Sequence, residues 1–312
     1  MTGRTADRKD TVKLSALSTV LDNTTVLEET MKKQIALILA FVLCLGMSAV
    51  CFADEAITTQ TKNYRNLSEE GTVIEGDGYK IVIEYCGEEG KRIFGRAYYP
   101  ESFDASQQYT TVVLNHGGGV NADFWDRYYA PELAKAGYVC YAFDCRSATT
   151  GGRGSYGDPT EDGKCSVATY SEDLNAAMDY MLTRDFVDKT RFYIAGQSMG
   201  GATVQNVAAQ RSEDITGMIV IYGSISDDNA GMLPDYEAVK ANPYSNGEVL
   251  FVQGAQDANL PIERTLDNMT WYELCELVYI NKAYHGFGVQ PDRPAQICAA
   301  HMIDFIDRTS KN

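Results

Sequence analysis

The chain has 312 residues, of which 45% are hydrophobic and 22% are charged. This composition is typical of a packed globular core, and it excludes intrinsic disorder, collagen-like repeats and a small disulfide scaffold. The formal net charge of −16 repels phosphate backbones and anionic lipid head groups, so we do not expect nucleic acid as a partner.

The amino-terminal segment is predicted to be a secretory signal peptide over residues 31–53. Met31 is followed by Lys32 and Lys33, by an apolar run from Ile35 to Val50 and by small residues up to Ala53. The apolar run is shorter than the roughly 18 uncharged residues of a membrane span, and no stop-transfer charges follow it. We therefore expect a secreted or extracytoplasmic protein without membrane contact after cleavage.

Residues 1–30 are polar and of mixed charge, and they precede a complete signal. We interpret them as an extension ahead of the true start at Met31 and expect one domain over residues 54–312. After cleavage, an even number of cysteines remains in an exported chain, which permits disulfides, although the sequence alone does not fix their pairing. These cysteines are Cys86, Cys140, Cys145, Cys165, Cys275 and Cys298.

Short β-rich runs then alternate with helical patterns. Apolar strands that helices separate indicate a mostly parallel sheet covered by helices on both faces, after an antiparallel start. The eight predicted strands are 79–83, 93–98, 111–114, 139–143, 192–195, 218–222, 249–252 and 277–280. The predicted helices are 123–136, one that begins at a Thr169–Glu172 capping box, one through 202–207, 263–274 and 294–308.

The segment Gly196-Gln197-Ser198-Met199-Gly200 follows a predicted strand and opens a helix of small residues. This is the context of a nucleophile elbow, in which a tight turn lifts a serine hydroxyl out of the sheet edge. Ser198 is therefore the predicted nucleophile. Upstream, His116 to Gly119 form a side-chain-poor loop after another strand, and its N–H groups can converge on an oxyanion. We expect Met199 and Gly118 to donate these N–H groups, with His116 orienting the loop.

A serine nucleophile needs a base and an acid that orients the base. Of the three histidines, His301 falls within the last helix and His116 belongs to the glycine loop, so His285 is the predicted base. Asp257 follows the strand 249–252 and is the predicted acid, with Asp227 and Asp228 as the alternative. No C-x-x-C or H-E-x-x-H spacing occurs, and we expect no metal or other cofactor.

These motifs resemble the α/β-hydrolase superfamily, within it the cinnamoyl-esterase, dienelactone-hydrolase and serine-aminopeptidase-like branch. The resemblance depends on HGGG at 116–119, GQSMGG at 196–201, GAQDANLP at 254–261 and YHGF at 284–287. It implies an α/β-hydrolase fold with an eight-stranded sheet and, since only residues 227–248 separate two strands, a short lid. One departure is that Asp144-Cys145-Arg146 is followed by Ser147 and a long Gly-rich loop, where relatives carry Asp-x-Arg-Gly.

The resemblance implies a secreted serine esterase that cleaves small acyl or aryl esters through an acyl-enzyme, with a small-molecule ester as its partner. A serine aminopeptidase is the alternative, and its carboxylates would come from Asp158, Glu161, Asp162 or Asp235. A binding protein on the same scaffold and acyl transfer to another acceptor also stay open. So do the oligomeric state and the acyl and alcohol groups. Trp125, Tyr128 and Tyr129 are interpreted as core residues, with an aryl or sugar platform as the alternative.

Overall fold

Strands and helices alternate along the chain in the computed structural model, which describes residues 67–87, 91–146, 166–287 and 293–310. The predicted signal peptide, the extension at 1–30 and Cys165 lie outside these ranges and stay predictions. The strands are β1 Val73–Glu75, β2 Tyr79–Cys86, β3 Ile93–Pro100, β4 Tyr109–Asn115, β5 Val139–Phe143, β6 Val187–Gln197, β7 Gly217–Ile221, β8 Glu248–Gly254 and β9 Cys275–Ile280.

These strands form a nine-stranded sheet in the order β1-β2-β3-β5-β4-β6-β7-β8-β9. The first three strands pair in antiparallel fashion with their neighbours, and all pairs from β5 to β9 across the sheet are parallel. The predicted fold class is confirmed, but the sheet has one more strand than the eight predicted. Strand β1 is three residues long with only Ile74 buried, so its apolar pattern is too short to recognise.

The helices of the described ranges are α1 Asp123–Asp126, α2 Ala130–Lys135, α3 Val167–Leu182, α4 Met199–Gln210, α5 Tyr236–Ala241, α6 Ile262–Met269 and α7 Arg293–Thr309. The single helix predicted over 123–136 was wrong: a second helix begins at Ala130 with Pro131 in its first turn, where proline, which lacks an N–H, is tolerated. None of these helices has the length and hydropathy needed to cross a membrane.

The predicted capping box of helix α3 was also wrong in its residues. Ser166 is the N-cap, its hydroxyl accepts a hydrogen bond from the Thr169 N–H, and the Thr169 hydroxyl accepts one from the Ser166 N–H. Glu172, the expected partner of Thr169, instead pairs with Arg146 at 3.1 Å. The box therefore begins one turn earlier, because threonine fills the position that glutamate or glutamine usually occupies.

Helices on both faces of the sheet bury two apolar clusters. Along β4, Val112 and Leu114 point into the cluster covered by α1, α2 and α7, whereas Val113 points into the cluster covered by α3 and α4. Met302 of α7 belongs to the first cluster and Leu174 of α3 to the second. This alternation is the period of two that a strand buried on both sides requires.

The strand order reverses beside β4, and this reversal positions the site. The chain leaves β4 toward β5 on one side and later returns to β6 on the other side. Strands β4 and β6 are parallel neighbours, with Asn115 opposite Gly196. The loops that follow these strands therefore leave the sheet side by side, which is where open α/β sheets form their ligand crevices. The predicted oxyanion loop and the predicted nucleophile share this position.

A buried ion-pair cluster fastens the antiparallel part of the sheet to the helices. The Arg96 side chain on β3 is fully buried, and its Nη1 lies 2.7 Å from Asp123 Oδ1 and in contact with Asp126 Oδ2. The Asp126 side chain is only 3% exposed. Removing one partner of such a pair leaves an uncompensated buried charge.

We expect Asp126→Ala to lower the free energy of unfolding by about 3 kcal/mol, because the buried Arg96 charge loses a carboxylate. Urea denaturation measures this change. The control is Glu132→Ala, which removes an exposed pair with Lys135 and should cost no more than about 0.5 kcal/mol. Equal losses in the two variants would contradict the proposed importance of the buried pair.

Candidate active site

Ser198 occupies a strained turn between β6 and α4. Its φ and ψ angles are 53° and −120°, in a region that residues other than glycine rarely adopt. The Ser198 N–H donates a hydrogen bond of 2.9 Å to the Ile221 carbonyl, which fixes the turn to the end of β7. The Oγ atom therefore projects beyond the carboxyl end of the sheet, as the sequence predicted for an elbow.

The glycines around Ser198 are required by close backbone contacts. A Cβ atom on Gly196 would lie 2.1 Å from the Gly200 carbonyl oxygen, and one on Gly200 would lie 2.3 Å from the Asn115 carbonyl oxygen. Backbone atoms cannot yield as a flexible side chain does, so neither position accommodates even alanine. The spacing of these glycines is thus a steric requirement of the turn.

The structure brings the three predicted triad residues into one hydrogen-bonded chain. His285 Nε2 lies 2.8 Å from Ser198 Oγ, and His285 Nδ1 lies 2.8 Å from Asp257 Oδ2. The Asp257 side chain is fully buried, whereas that of His285 is 22% exposed. In this arrangement Asp257 accepts from Nδ1, so Nε2 is free to accept the serine proton. These positions are those expected of a nucleophile, a base and an acid.

Hydrogen-bond donors surround the Asp257 carboxylate. Its Oδ1 accepts from the N–H groups of Asn259 and Leu260, both at 2.9 Å, and its Oδ2 accepts from Gln253 Nε2 at 3.2 Å. Burial works to raise the pKa of Asp257, but the hydrogen bonds from His285, Leu260 and Asn259 outweigh burial and lower this pKa below that of a free aspartate. The carboxylate therefore stays ionised at neutral and mildly acidic pH.

Gln253 holds the Asp257 carboxylate, a contact that the sequence analysis did not predict. It is fully buried near the end of β8, where its Nε2 also donates to the Leu260 carbonyl at 2.6 Å and its Oε1 accepts from the Thr265 hydroxyl at 3.2 Å. Gln253 thus connects strand β8, the Asp257 loop and helix α6. A polar amide at the end of an otherwise apolar strand was the signal that could have identified it.

Tyr222, directly after β7, packs against the His285 ring. The two ring centroids lie 4.9 Å apart in an edge-on arrangement, and the Phe287 ring centroid lies 4.6 Å from that of Tyr222, also edge-on. Tyr222 is fully buried, and this burial raises the pKa of its hydroxyl well above 10. Its ring therefore acts as a neutral, rigid wall that limits the rotation of His285.

The predicted oxyanion donors lie beside Ser198. Met199 is the first residue of α4, so its N–H is one of the four amides that a helix leaves without an intrahelical acceptor. Gly118 lines the same cleft as Met199 and Ser198. A Cβ on Gly118 would lie 3.1 Å from the Met199 methyl group, so the Met199 side chain lies close to the glycine loop.

His116 holds the glycine loop, as the sequence analysis expected. Its Nε2 accepts a hydrogen bond of 3.0 Å from the Cys145 N–H, so its Nδ1 carries the proton and donates to the Gly117 carbonyl at 2.7 Å. The Tyr170 hydroxyl donates to the same carbonyl at 3.3 Å. Asp144, next to Cys145, accepts from the Ala122 N–H at 2.8 Å. Hydrogen bonds thus hold the described part of the Asp144-Cys145-Arg146 segment, where this chain departs from the family pattern.

The alternative acids have other partners. Asp227 contacts the Tyr236 hydroxyl and lies 2.5 Å from Lys240 Nζ, while its side chain is 74% exposed. The Asp228 side chain is 78% exposed and lies 3.9 Å from Arg264 Nε. Asp235 caps helix α5 by accepting from the Ala238 N–H. The other predicted peptidase carboxylates, Asp158, Glu161 and Asp162, lie outside the described residues.

The remaining residues singled out in the sequence lie in the core or at the surface and not in the site. Trp125 and Tyr129 are buried in the core, as expected, and Tyr128 is half-buried against it. His301 is exposed on α7. Among the described residues, no group of three or more His, Cys, Asp or Glu side chains is arranged to hold a metal ion. The free thiols in this part of the chain include Cys86, Cys140, Cys275 and Cys298.

A cleft of about 230 Å³ opens above the hydrogen-bonded chain. Its lower wall comes from the elbow and the glycine loop. Its upper wall comes from the short insert between β7 and β8 and from the start of helix α6. The lining residues are Gly118, Ser198, Met199, Gly223, Ser224, Ile225, Asn229, Met232, Asn259, Leu260, Arg264 and His285. The cleft therefore combines a nucleophile with a lining of glycines and mostly neutral side chains.

We expect Asp257→Asn to lower kcat by about 10⁴-fold, because asparagine cannot stabilise the imidazolium and leaves the histidine in the wrong tautomer. Steady-state kinetics on an ester substrate measures this loss. The matched control is Asp227→Asn, which should change kcat less than twofold. A large loss of kcat in Asp227→Asn and a small one in Asp257→Asn would assign the acid to Asp227, which follows β7, instead of Asp257, which follows β8.

Gln253→Met should lower kcat by about 10-fold, since Asp257 loses a hydrogen bond to its charged form. The pKa of Asp257 should rise as a result, and NMR titration of the carboxyl carbon measures that shift. Thr265→Val is the control, because it removes the Thr265 hydroxyl contacts to Gln253 Oε1 and Ser224 Oγ but leaves the bond from Gln253 Nε2 to Asp257 in place. An unchanged carboxyl pKa in Gln253→Met would contradict the assigned role.

Comparisons with known proteins agree with this architecture. A family model described as the alpha/beta hydrolase fold matches residues 110–248. Est1E from Butyrivibrio proteoclasticus superimposes with a TM-score of 0.57 and 17% identity over 74% of this chain and 99% of Est1E. A putative dienelactone hydrolase from Klebsiella pneumoniae gives a TM-score of 0.59 and 18% identity over 74% of this chain and 100% of that protein.

Two curated proteins match part of the chain. YcjY of Escherichia coli, an uncharacterized protein, is 29% identical over 175 residues, which are 53% of this chain and 54% of YcjY. Dipeptidyl-peptidase 5 of Schizosaccharomyces pombe is 30% identical over 154 residues, which are 46% of this chain and 21% of that protein. The chain thus spans about half the length of one relative and a fifth of the other. The α/β-hydrolase resemblance of the sequence is confirmed at the level of the fold.

Proposed function

We propose that this chain, which has the α/β-hydrolase fold, is a secreted serine hydrolase of small acyl or aryl carboxylic esters. One observation carries this proposal: the unbroken hydrogen-bonded chain from Ser198 Oγ through His285 to Asp257. A hydroxyl, an imidazole and a buried carboxylate in this order constitute the machinery for acyl transfer through a covalent intermediate.

In the first half-reaction, Ser198 Oγ attacks the ester carbonyl carbon while His285 Nε2 takes the hydroxyl proton. The tetrahedral intermediate collapses when the carbon–oxygen bond to the alcohol breaks and His285 returns the proton to the leaving alkoxide. In the second half-reaction, a water molecule attacks the acyl-enzyme with the same help from His285. The carboxylic acid then leaves, and Ser198 regains its proton.

The negative charge of each tetrahedral intermediate falls on the former carbonyl oxygen. We assign Met199 N–H and Gly118 N–H as its donors, since the first amide of a helix has no intrahelical acceptor and the glycine loop borders the same cleft. The His116 bond to the Gly117 carbonyl supports this loop. Donors fixed before the reaction need no reorganisation when the charge develops.

Two features favour an ester over a peptide. An alkoxide leaving group needs less help from a proton donor than an amine does. In addition, the described cleft lining contains neither aspartate nor glutamate to hold a free amino terminus. The short insert over 227–248 leaves the cleft open, which suits small esters better than long-chain lipids. The Klebsiella pneumoniae neighbour is a putative dienelactone hydrolase, and a lactone is a cyclic ester.

A serine peptidase of the same fold is the second candidate. The observation that favours it is the 30% identity to dipeptidyl-peptidase 5 over 154 residues. The same hydrogen-bonded chain would serve either reaction, so substrate preference distinguishes the two. The signal-like segment at 31–53 supports the proposed export.

The test is turnover by the protein from Asp54 onward on p-nitrophenyl esters of increasing chain length, methyl ferulate and aminoacyl anilides. We expect ester cleavage, and Ser198→Ala should lower kcat by at least about 10⁴-fold without unfolding the protein. The exposed Ser106→Ala serves as the control and should retain full activity.

Two outcomes would contradict this proposal. Ester cleavage that persists in Ser198→Ala would exclude Ser198 as the nucleophile. Cleavage of anilides without cleavage of any ester would favour the peptidase.

A further inference from the structure

The cleft contains one permanent charge. Apart from His285, Arg264 is the only ionisable side chain among the described lining residues, and all the others are glycines or neutral side chains. Arg264 lies on helix α6, which begins directly after the loop that holds Asp257. The cation therefore lies on the helix that directly follows the loop of the acid of the hydrogen-bonded chain.

The guanidinium group of Arg264 is weakly compensated. Within the described ranges its ion pair is with Asp228, whose Oδ2 lies 3.9 Å from Nε, beyond hydrogen-bond distance. The Asp228 side chain is 78% exposed to water, whereas that of Arg264 is 28% exposed. Asp227, the adjacent carboxylate, already contacts Lys240. An exposed pair at this distance contributes little, so the N–H groups of Arg264 stay available to a ligand.

This charge stands out against the rest of the molecule. The chain carries a formal net charge of −16, which repels anionic ligands at long range. A guanidinium in a partly buried cleft is screened less than one at the open surface. Its planar fork of N–H donors fits a carboxylate in a bidentate manner. The one permanent charge among the described lining residues is thus opposite in sign to the net charge of the whole chain.

We propose that Arg264 is a specificity residue that binds a carboxylate on the substrate, so that the preferred ester carries a negative charge within reach of α6. This inference rests on the proposed ester-hydrolase function and narrows its substrate class. The carboxylate belongs to the acyl part or to the alcohol part of the ester, and it takes no part in bond breaking. Arg264 then contributes binding energy and orientation, while Ser198 and His285 carry out the reaction.

Two pairs of matched esters test the proposal. The first pair, 4-acetoxybenzoate and 4-acetoxybenzamide, differs in charge on the alcohol part. The second pair, monomethyl terephthalate and methyl 4-carbamoylbenzoate, differs in charge on the acyl part. For each pair the ratio of kcat/KM values is compared between the wild type and Arg264→Gln, which cancels the intrinsic difference in ester reactivity.

We expect Arg264→Gln to lower kcat/KM for the charged member of at least one pair by about 10- to 100-fold while changing the neutral member less than threefold. Arg264→Lys should retain part of the preference, because an ammonium keeps the charge but not the fork. The control is Arg191→Gln at the opposite end of β6, where the arginine pairs with Asp188 at 2.7 Å. This variant should leave both ratios unchanged.

Several results would overturn the inference. Serine-dependent cleavage of both pairs without any effect of Arg264→Gln on the ratios would reject the anion site while leaving the proposed ester hydrolysis intact. Equal losses for charged and neutral members would assign Arg264 to the stability of the cleft instead.

If none of the four esters is cleaved, a binding measurement tests the anion site instead. Calorimetric titration of Ser198→Ala with 4-acetoxybenzoate should give a Kd at least about 10-fold lower than with 4-acetoxybenzamide, and Arg264→Gln in the same background should abolish the difference. Equal binding of the two compounds would reject the anion site. Preferential binding without turnover would retain it and place the failure with the proposed esterase function.

Discussion

The tight passage of the backbone from β6 into α4 is the constraint on which the site depends. Ser198 adopts a φ angle of 53°, and the glycines before and after it allow carbonyl groups to approach where a Cβ would collide. Tyr222, Lys282 and Phe287 also have positive φ angles and follow β7 or β9. Backbone strain thus concentrates at the carboxyl edge of the sheet, where surrounding packing stabilises conformations that isolated residues avoid.

At this edge, the solvent exposure of the side chains increases along the hydrogen-bonded chain from the buried acid to the partly exposed base and nucleophile. Asp257 is buried among donors that lower its pKa, His285 is partly exposed against the ring of Tyr222, and Ser198 opens into the cleft. A buried carboxylate far from water interacts strongly with a neighbouring imidazolium. The same loop that supplies Asp257 leads into α6 and Arg264, so one segment links the orientation of the base to the charge of the cleft.

The fold and the three residues of the hydrogen-bonded chain could be predicted from the sequence because they depend on local patterns at strand ends. A glycine-flanked serine after an apolar strand and a histidine after the final strand are visible without a structure. Gln253 and Tyr222 were not found, since their roles arise only when β7, β8 and α6 lie together. The division at Pro131 and the Ser166 cap have a different cause: both are local features, a proline in a first turn and a capping box with threonine in place of glutamate, that the apolar pattern does not reveal.

The most direct measurement of the central claim is the reaction of the protein with diethyl p-nitrophenyl phosphate, followed by mass spectrometry of the peptides. An activated serine attacks phosphorus, releases p-nitrophenolate and retains the diethylphosphoryl group. The account predicts one modified residue per chain, located at Ser198, and no modification in Asp257→Asn over the same time. Modification at another residue, or equally fast modification of Ser198 without Asp257, would contradict it.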